Sequence, residues 1–195
     1  MNSRKLLQGR TDLPLNSEGI VQAAKTAKML SDMGVYFDHV FSSPLIRAVR
    51  TAEILVPGAE VEKDDRLIEM DYGPYEGMDL YSPAPEVICF FSDFTNNPAP
   101  EGMESLDSVV ARAGRFIESL RAVGGNILIS THAIAMKGIL EYLTPGSHGS
   151  YWSKHIGNCA VFMTEYDGDR FSPPLEVFNP ANDIPEKRRK DHKEA

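Results

Sequence analysis

Asn126-Ile-Leu-Ile-Ser-Thr-His132 is the stretch of this sequence that decides its fold. The apolar run has the length of a buried strand, and a helical pattern from Ala133 to Leu143 follows it directly. A strand that turns into a helix presents backbone N–H groups and the positive end of a helix dipole, which together bind anions. The sequence therefore predicts an anion site beside His132. For an isolated histidine, the alternative is a structural hydrogen bond under the edge of the sheet.

Strands and helices alternate along the rest of the chain. Apolar residues at helical spacing predict an amphipathic helix from Asn16 to Gly34, in which Asn16 or Ser17 can cap the start and Gly34 can end it. The same spacing predicts helices after Pro44 and after Ser105. Short apolar runs predict two further strands, at residues 40–41 and 160–166. This order predicts a three-layer α/β sandwich, with a mainly parallel sheet, helices on both faces and ligands at the carboxyl ends of the strands.

The stretch from residue 60 to residue 100 is less regular. It is interrupted by proline, which removes a backbone donor and restricts the residue before it. The prolines are Pro74, Pro83, Pro85, Pro98 and Pro100. We expect loops and short helices here, forming a lid or an insertion that faces the substrate.

Length and composition fit one domain. With 195 residues, 42% of them hydrophobic, the chain can bury a substantial core, and we expect a single domain over residues 1–180 and a charged tail over residues 181–195. The formal net charge of −8 argues against a nucleic-acid-binding protein. No apolar stretch reaches membrane-spanning length and no signal-peptide pattern precedes the polar start, which predicts a cytoplasmic protein without membrane contact. Nothing in the pattern indicates an oligomeric state.

Three further segments of the sequence can be considered together with the segment that contains His132. Ser42-Ser-Pro-Leu-Ile-Arg-Ala-Val-Arg-Thr-Ala52 follows a predicted strand, Leu67-Ile-Glu-Met-Asp-Tyr-Gly-Pro-Tyr-Glu-Gly77 lies in the irregular middle, and Gln8-Gly-Arg-Thr-Asp12 precedes the first helix. In this order and spacing, over nearly the whole chain, the four segments resemble the histidine phosphatase superfamily, also called the phosphoglycerate mutase-like family. The resemblance implies that family's fold, hydrolysis of a small phosphorylated metabolite, and no metal or other cofactor.

The resemblance also implies two catalytic side chains in this sequence. His132 would stabilise the phosphoryl group through a ring nitrogen, and Glu69 would protonate the leaving oxygen and then activate water. In the complete protein, a phosphohistidine intermediate would divide the reaction into two displacements. The alternative for Glu69 is a solvated glutamate in a loop.

Five further positions match binding positions of the family. Arg47, Asn2 and the backbone at Ala133 would hold the phosphate, because guanidinium and N–H donors suit phosphate oxygens. Ala133 stands where the family usually has glycine, a small change. Gln8 and Gly9 would approach the substrate. The alternatives are a surface arginine on a helix for Arg47 and a plain turn for Gln8 and Gly9.

The family's nucleophile has no counterpart in this sequence. Family members carry it as the histidine of Arg-His-Gly after a central first strand, and His39, His148, His155 and His192 do not match that position. We expect Met1 to be an internal methionine taken as the start, so that this chain lacks the first strand, is inactive as written and is poorly stable alone. The alternatives are a non-catalytic phosphoester-binding relative and, less favoured, a phosphoglycerate mutase.

Overall fold

The structure is a computed structural model that describes residues 5–180. The predictions for Met1, for Asn2 and for the tail over residues 181–195 lie outside these residues. In chain order the helices and strands are α1 (Ser17–Asp32), β1 (His39–Ser42), α2 (Ile46–Leu55), β2 (Val61–Lys63), α3 (Pro85–Ser92), α4 (Leu106–Ser119), β3 (Ile127–Ser130), α5 (Ala133–Leu143), β4 (Val161–Met163) and β5 (Leu175–Phe178). No helix in this part of the chain is long and apolar enough to cross a membrane.

The strands form two separate sheets. β1 lies in the middle of the first sheet and pairs in parallel with β2 on one side and β3 on the other. β4 and β5 form an antiparallel pair. Within residues 5–180, β3 pairs only with β1, and β4 pairs only with β5. One edge of β3 and one edge of β4 are therefore unpaired. The parallel sheet confirms the predicted α/β class.

Helices cover both faces of the parallel sheet. Successive side chains of a strand point to opposite faces, and Phe41, Ile127 and Ile129 pack against apolar residues of α4 and α5. On the other face, the Ser130 hydroxyl donates a hydrogen bond of 2.8 Å to the carbonyl of Ala48 in α2, and α1 packs on α2. This arrangement confirms the prediction of helices on both faces.

The predicted helix starts follow from local chemistry. The Asn16 side chain accepts from the Gly19 N–H at 2.8 Å at the start of α1, and Ser105 accepts from the Ser108 N–H at 3.2 Å at the start of α4. Such bonds satisfy backbone donors that have no partner inside the helix. The strands β2 and β5 were not predicted, because each contains a charged residue in place of the continuous apolar run that indicates a buried strand.

A cavity of about 1710 Å³ separates the two sheets. Its walls include all four residues of β3 and all three residues of β4, together with side chains of α1. Residues that follow the carboxyl ends of β1 and β3 line the same cavity. The fold therefore brings the predicted anion site and the two unpaired strand edges to one space.

Candidate active site

Arg47 is held at the start of α2 by the turn that precedes α1. Its Nη1 donates to the carbonyl of Thr11 at 2.8 Å, and its Nη2 donates to the carbonyl of Gly9 at 2.6 Å. Burial lowers the pKa of the guanidinium, but nearby carboxylates, Glu69 foremost, oppose this, and arginine stays charged at any ordinary pH. The half-buried Arg47 is therefore a fixed cation rather than a solvated side chain on a helix.

The turn from Gly9 to Asp12 is itself pinned at both ends. Glu76 accepts hydrogen bonds from the N–H groups of Gly9, Arg10 and Thr11, and Asp12 accepts from the first N–H of α2 at 2.8 Å. A Cβ at position 9 would lie 2.5 Å from the carbonyl oxygen of Met70 and 2.7 Å from Glu76 Oε2. Glycine is needed here for packing within the protein, a reason that differs from the predicted approach of substrate.

Glu69 is almost fully buried, with 5% of its surface exposed. Its carboxylate accepts from the N–H of Met70 at 2.8 Å, of Ala135 at 3.1 Å and of Ile134 at 3.3 Å. Burial raises the pKa of this carboxyl, and the three N–H groups and the Arg112 charge only partly offset that effect. A carboxyl that keeps its proton closer to neutral pH is suited to act as a general acid.

His132 lies between β3 and α5, and its Nε2 is 2.7 Å from Ser43 Oγ. Burial, followed by the charges of Arg47 and Arg112, lowers the pKa of the ring to about 3. The imidazole is therefore neutral at physiological pH, with one N–H and one acceptor nitrogen. The Thr131 hydroxyl donates to the carbonyl of Leu67 at 2.7 Å and so ties the end of β3 to the segment that carries Glu69.

An ion network behind Glu69 was missed by sequence reasoning. Glu104 accepts from Arg112 Nε at 2.8 Å and from Arg10 Nη2 at 3.1 Å. Arg112 also donates to the carbonyl of Ile68 at 2.5 Å, and Arg10 donates to the carbonyl of Glu69 at 3.1 Å. The two arginines thus bind the backbone carbonyl groups before and after the Cα of Glu69. Arg10 lies in the quoted segment Gln8–Asp12, but no local signal connects it with Glu104.

Five of the predicted site residues line the cavity between the sheets. These are Gln8, Arg47, Glu69, His132 and Ala133. Gly9 contributes through its carbonyl bond to Arg47, and Asn2 lies outside the described residues. Ala133 is the exposed first residue of α5, where helix N–H groups have no partner inside the helix. Within residues 5–180, no cluster of three or more His, Cys, Asp or Glu side chains is arranged to hold a metal ion.

The chain matches a known protein family over most of its length. The model of the histidine phosphatase superfamily (branch 1) matches residues 1–176. The chain belongs to this superfamily. The resemblance inferred from the four sequence segments is thereby confirmed.

Two curated relatives and one solved structure illustrate the superfamily. The chain is 29% identical to a putative phosphoserine phosphatase 2 of Hydrogenobacter thermophilus over 175 residues, covering 87% of this chain and 85% of the relative. It is 27% identical over 191 residues to the probable phosphoglycerate mutase GpmB of Escherichia coli, covering 94% and 87%. A mycobacterial glucosyl-3-phosphoglycerate phosphatase, solved with VO3, shares 25% identity at a TM-score of 0.78, covering 91% of this chain and 92% of that one.

Proposed function

We propose that this chain forms the phosphate-binding and acid–base part of a phosphomonoester hydrolase that works through a phosphohistidine. The observation that carries the proposal is that Arg47, Glu69 and His132 line one cavity. These side chains come from three separate segments, after β1, before α3 and after β3. A fixed cation, a buried carboxyl with a raised pKa and a neutral imidazole are the groups that phosphoryl transfer needs.

The phosphoryl oxygens would be held by charge and by N–H donors together. Arg47 uses two guanidinium N–H groups on the carbonyls of Gly9 and Thr11, which leaves the remainder of its five donors for an anion. Ala133 is the exposed first residue of α5, so its N–H has no partner inside the helix, and the dipole of that helix favours negative charge. His132 adds a ring N–H. No metal is required for these contacts, because the donors supply the positive potential.

The nucleophile would come from a strand placed in the cavity between the two sheets. The unpaired edges of β3 and β4 face this space, and an extended segment could bond to both, as in strand addition to a sheet. A segment parallel to β3 would bring its carboxyl end level with Ser130, two residues before His132. A histidine directly after such a segment would lie beside the phosphate-binding groups. Because the sequence contains no Arg-His-Gly, the chain as written would be inactive.

The chemistry then follows in two displacements. A ring nitrogen of the added histidine attacks phosphorus and forms an N–P bond while the P–O bond to the leaving group breaks, and the Glu69 carboxyl gives its proton to that oxygen. Water next attacks phosphorus while the Glu69 carboxylate takes its proton. The N–P bond breaks, inorganic phosphate leaves, and the histidine and the protonated Glu69 are restored.

The relatives suggest the substrate class. Phosphoserine and phosphoglycerate, which appear in the names of similar proteins, are small hydroxy acids or amino acids that carry one phosphate. We extend that class to this chain. A mutase is the second candidate, on the strength of the likeness to GpmB. Isomerisation of 3-phosphoglycerate to 2-phosphoglycerate, rather than release of phosphate, would favour it.

The test supplies the strand as a synthetic peptide of four apolar residues followed by Arg-His-Gly. We expect phosphate release from phosphoserine or 3-phosphoglycerate only with both chain and peptide, and acid-labile phosphate on the peptide histidine. A matched peptide with alanine in place of histidine should bind without turnover. The Glu69→Gln variant with the active peptide should retain binding and lose most turnover, whereas Glu60→Gln, at an exposed site, should behave as the unmodified chain.

Each outcome separates the candidates. Peptide binding without turnover, together with binding of phosphoserine by the chain alone, would favour a non-catalytic phosphoester-binding relative. Absence of peptide binding, with no phosphate release, would contradict the proposed place of the nucleophile.

A further inference from the structure

Ser43 and His132 face each other because of the register of two neighbouring strands. Ser42 in β1 is level with Ser130 in β3, and the Ser43 N–H donates to the carbonyl of Ser130 at 2.9 Å. The two chains therefore leave the sheet side by side, one towards α2 and the other towards α5. This brings Ser43 Oγ to 2.7 Å from His132 Nε2. Nothing in the proposed reaction uses Ser43, which is fully buried, with 0% of its surface exposed.

In the part of the chain that the structure describes, the hydrogen on the Ser43 hydroxyl has one acceptor. Ser43 Oγ accepts from the N–H of Leu45 at 3.3 Å, an ordinary serine turn. Among residues 5–180, the only other hydrogen-bond partner of this oxygen is His132 Nε2. If Nε2 carried a hydrogen of its own, the hydroxyl hydrogen would be buried without an acceptor, which native structures avoid. The hydroxyl therefore donates to Nε2.

A neutral imidazole carries one N–H, so an acceptor at Nε2 leaves the hydrogen on Nδ1. The ring is neutral because burial and the charges of Arg47 and Arg112 hold its pKa at about 3. Within residues 5–180, Nδ1 of His132 has no hydrogen-bond partner, although the residue lines the cavity. An N–H at this position is a donor without an acceptor among residues 5–180.

We infer that Ser43 is a positioning residue that fixes His132 in the Nδ1–H tautomer, so that Nδ1 donates to an oxygen of the bound phosphoryl group. The inference rests on the proposed function for the identity of that anion, but the tautomer itself is a property of the resting chain. Ser43 is not among the residues that line the cavity. Its effect passes through the ring of His132, in the way that a partner on one ring nitrogen sets the hydrogen on the other.

The neighbouring Ser42 offers a matched control. It is also serine, is equally buried at 0% exposure, and its hydroxyl donates to the carbonyl of Ser43 at 2.8 Å without touching His132. Ser42→Ala thus removes a buried hydroxyl at the same depth. A loss of general stability would appear in both variants, whereas a change of tautomer would appear only in Ser43→Ala.

The experiment is nitrogen NMR of the chain labelled at its histidine rings, with His132 assigned by comparison with His132→Gln. We expect a protonated Nδ1 and an unprotonated Nε2 in the unmodified chain and in Ser42→Ala. In Ser43→Ala we expect the Nε2–H tautomer to become populated, and the affinity for inorganic phosphate to fall about tenfold, since one hydrogen bond to a charged acceptor is weakened.

The unmodified chain alone can overturn the inference, whether or not the variants fold. An Nε2–H tautomer in its spectrum would do so, as would an unchanged tautomer in a folded Ser43→Ala. These readouts need no turnover. If the peptide assay fails while the Nδ1–H tautomer and the loss of phosphate affinity are observed, the inference stands and the proposed hydrolysis falls. If turnover is observed with an Nε2–H tautomer, only the inference falls.

Discussion

Glu69 Oε1 accepts a hydrogen bond of 3.1 Å from the backbone N–H of Ala135, in the first turn of α5. The bond joins the proposed acid to the helix that begins directly after His132. Two effects therefore act on the same carboxyl, since the end of the helix favours its charged form and burial favours its neutral form. Burial is the larger effect, and the pKa of Glu69 is raised.

Replacing Glu69 by glutamine should change how stability depends on pH. Because its pKa is raised above the ordinary 4.5, the folded chain holds the proton more tightly than the unfolded chain does. This contribution to stability is complete below the ordinary pKa and is lost as pH rises through the folded-state pKa. Relative to Glu69→Gln, the unmodified chain should lose about 1.4 kcal/mol for each pH unit between the two pKa values.

Urea unfolding from about pH 3 to about pH 8, a range that begins below the ordinary carboxyl pKa values of about 4, measures this difference. Glu60→Gln, at an exposed site, should track the unmodified chain throughout. Parallel stability curves for Glu69→Gln and the unmodified chain would count against a raised pKa.

Gly9→Ala should destabilise the chain by about 1–3 kcal/mol, the usual cost of overpacking. The new Cβ would lie 2.5 Å from the Met70 carbonyl oxygen, so the turn must move, and the bond from Arg47 to the Gly9 carbonyl moves with it. Gly124→Ala is the control, because nothing lies within 4 Å of a Cβ there. Denaturant unfolding gives both values, and equal stabilities for the two variants would refute the expectation.

Arg47→Lys should weaken the binding of inorganic phosphate about tenfold or more. An ammonium group keeps the charge, but it cannot bond to the Gly9 and Thr11 carbonyls and still offer paired donors to an anion. Arg50→Lys lies on the same helix in an exposed pair with Glu53 and should bind phosphate normally. Calorimetric titration at fixed ionic strength measures the phosphate affinity of each variant. Similar affinities for both variants would argue that phosphate binds elsewhere.

Glu104→Gln should lower the free energy of unfolding by about 3 kcal/mol, because it leaves the buried Arg112 without its counter-charge. The comparable change at the exposed Glu53, paired with Arg50, should cost at most about 1 kcal/mol. Thermal and urea unfolding of the two variants measure the difference. A loss at Glu104 no larger than that at Glu53 would show that the network contributes little.

The sequence allowed the parts of the molecule with local signals to be predicted. Ser105 was recognised as a cap and Asn16 as one of two candidates with Ser17, because a cap acts on an N–H group only three residues away, as both Asn16 and Ser105 do. Arg47, Glu69 and His132 were recognised because they sit in strings of specific residues. Their common cavity supports that choice, while their roles in the reaction stay predictions.

What the sequence did not reveal depends on contacts between distant segments. Arg10 and Glu104 are 94 positions apart, and Ser43 and His132 are 89 positions apart. Neither pair has a local pattern. Ser43 meets His132 only because β1 and β3 are in register, and Arg10 meets Glu104 only because the turn before α1 packs against the segment before α4. The need for glycine at position 9 also depends on a distant segment, because a side chain there would collide with the carbonyl of Met70. The sequence suggested contact with a ligand instead.

Because β3 is paired on one edge only, its backbone amide hydrogens should exchange with solvent at two different rates. In a strand, successive backbone N–H groups point to alternate edges, so the amides of β3 that face β1 are bonded and those between them face the cavity. Deuterium should therefore enter alternate amides of this short strand at slow and fast rates. A segment that fills the cavity would slow the fast set alone, which makes β3 a residue-by-residue reporter of whether the gap in the sheet is open or closed.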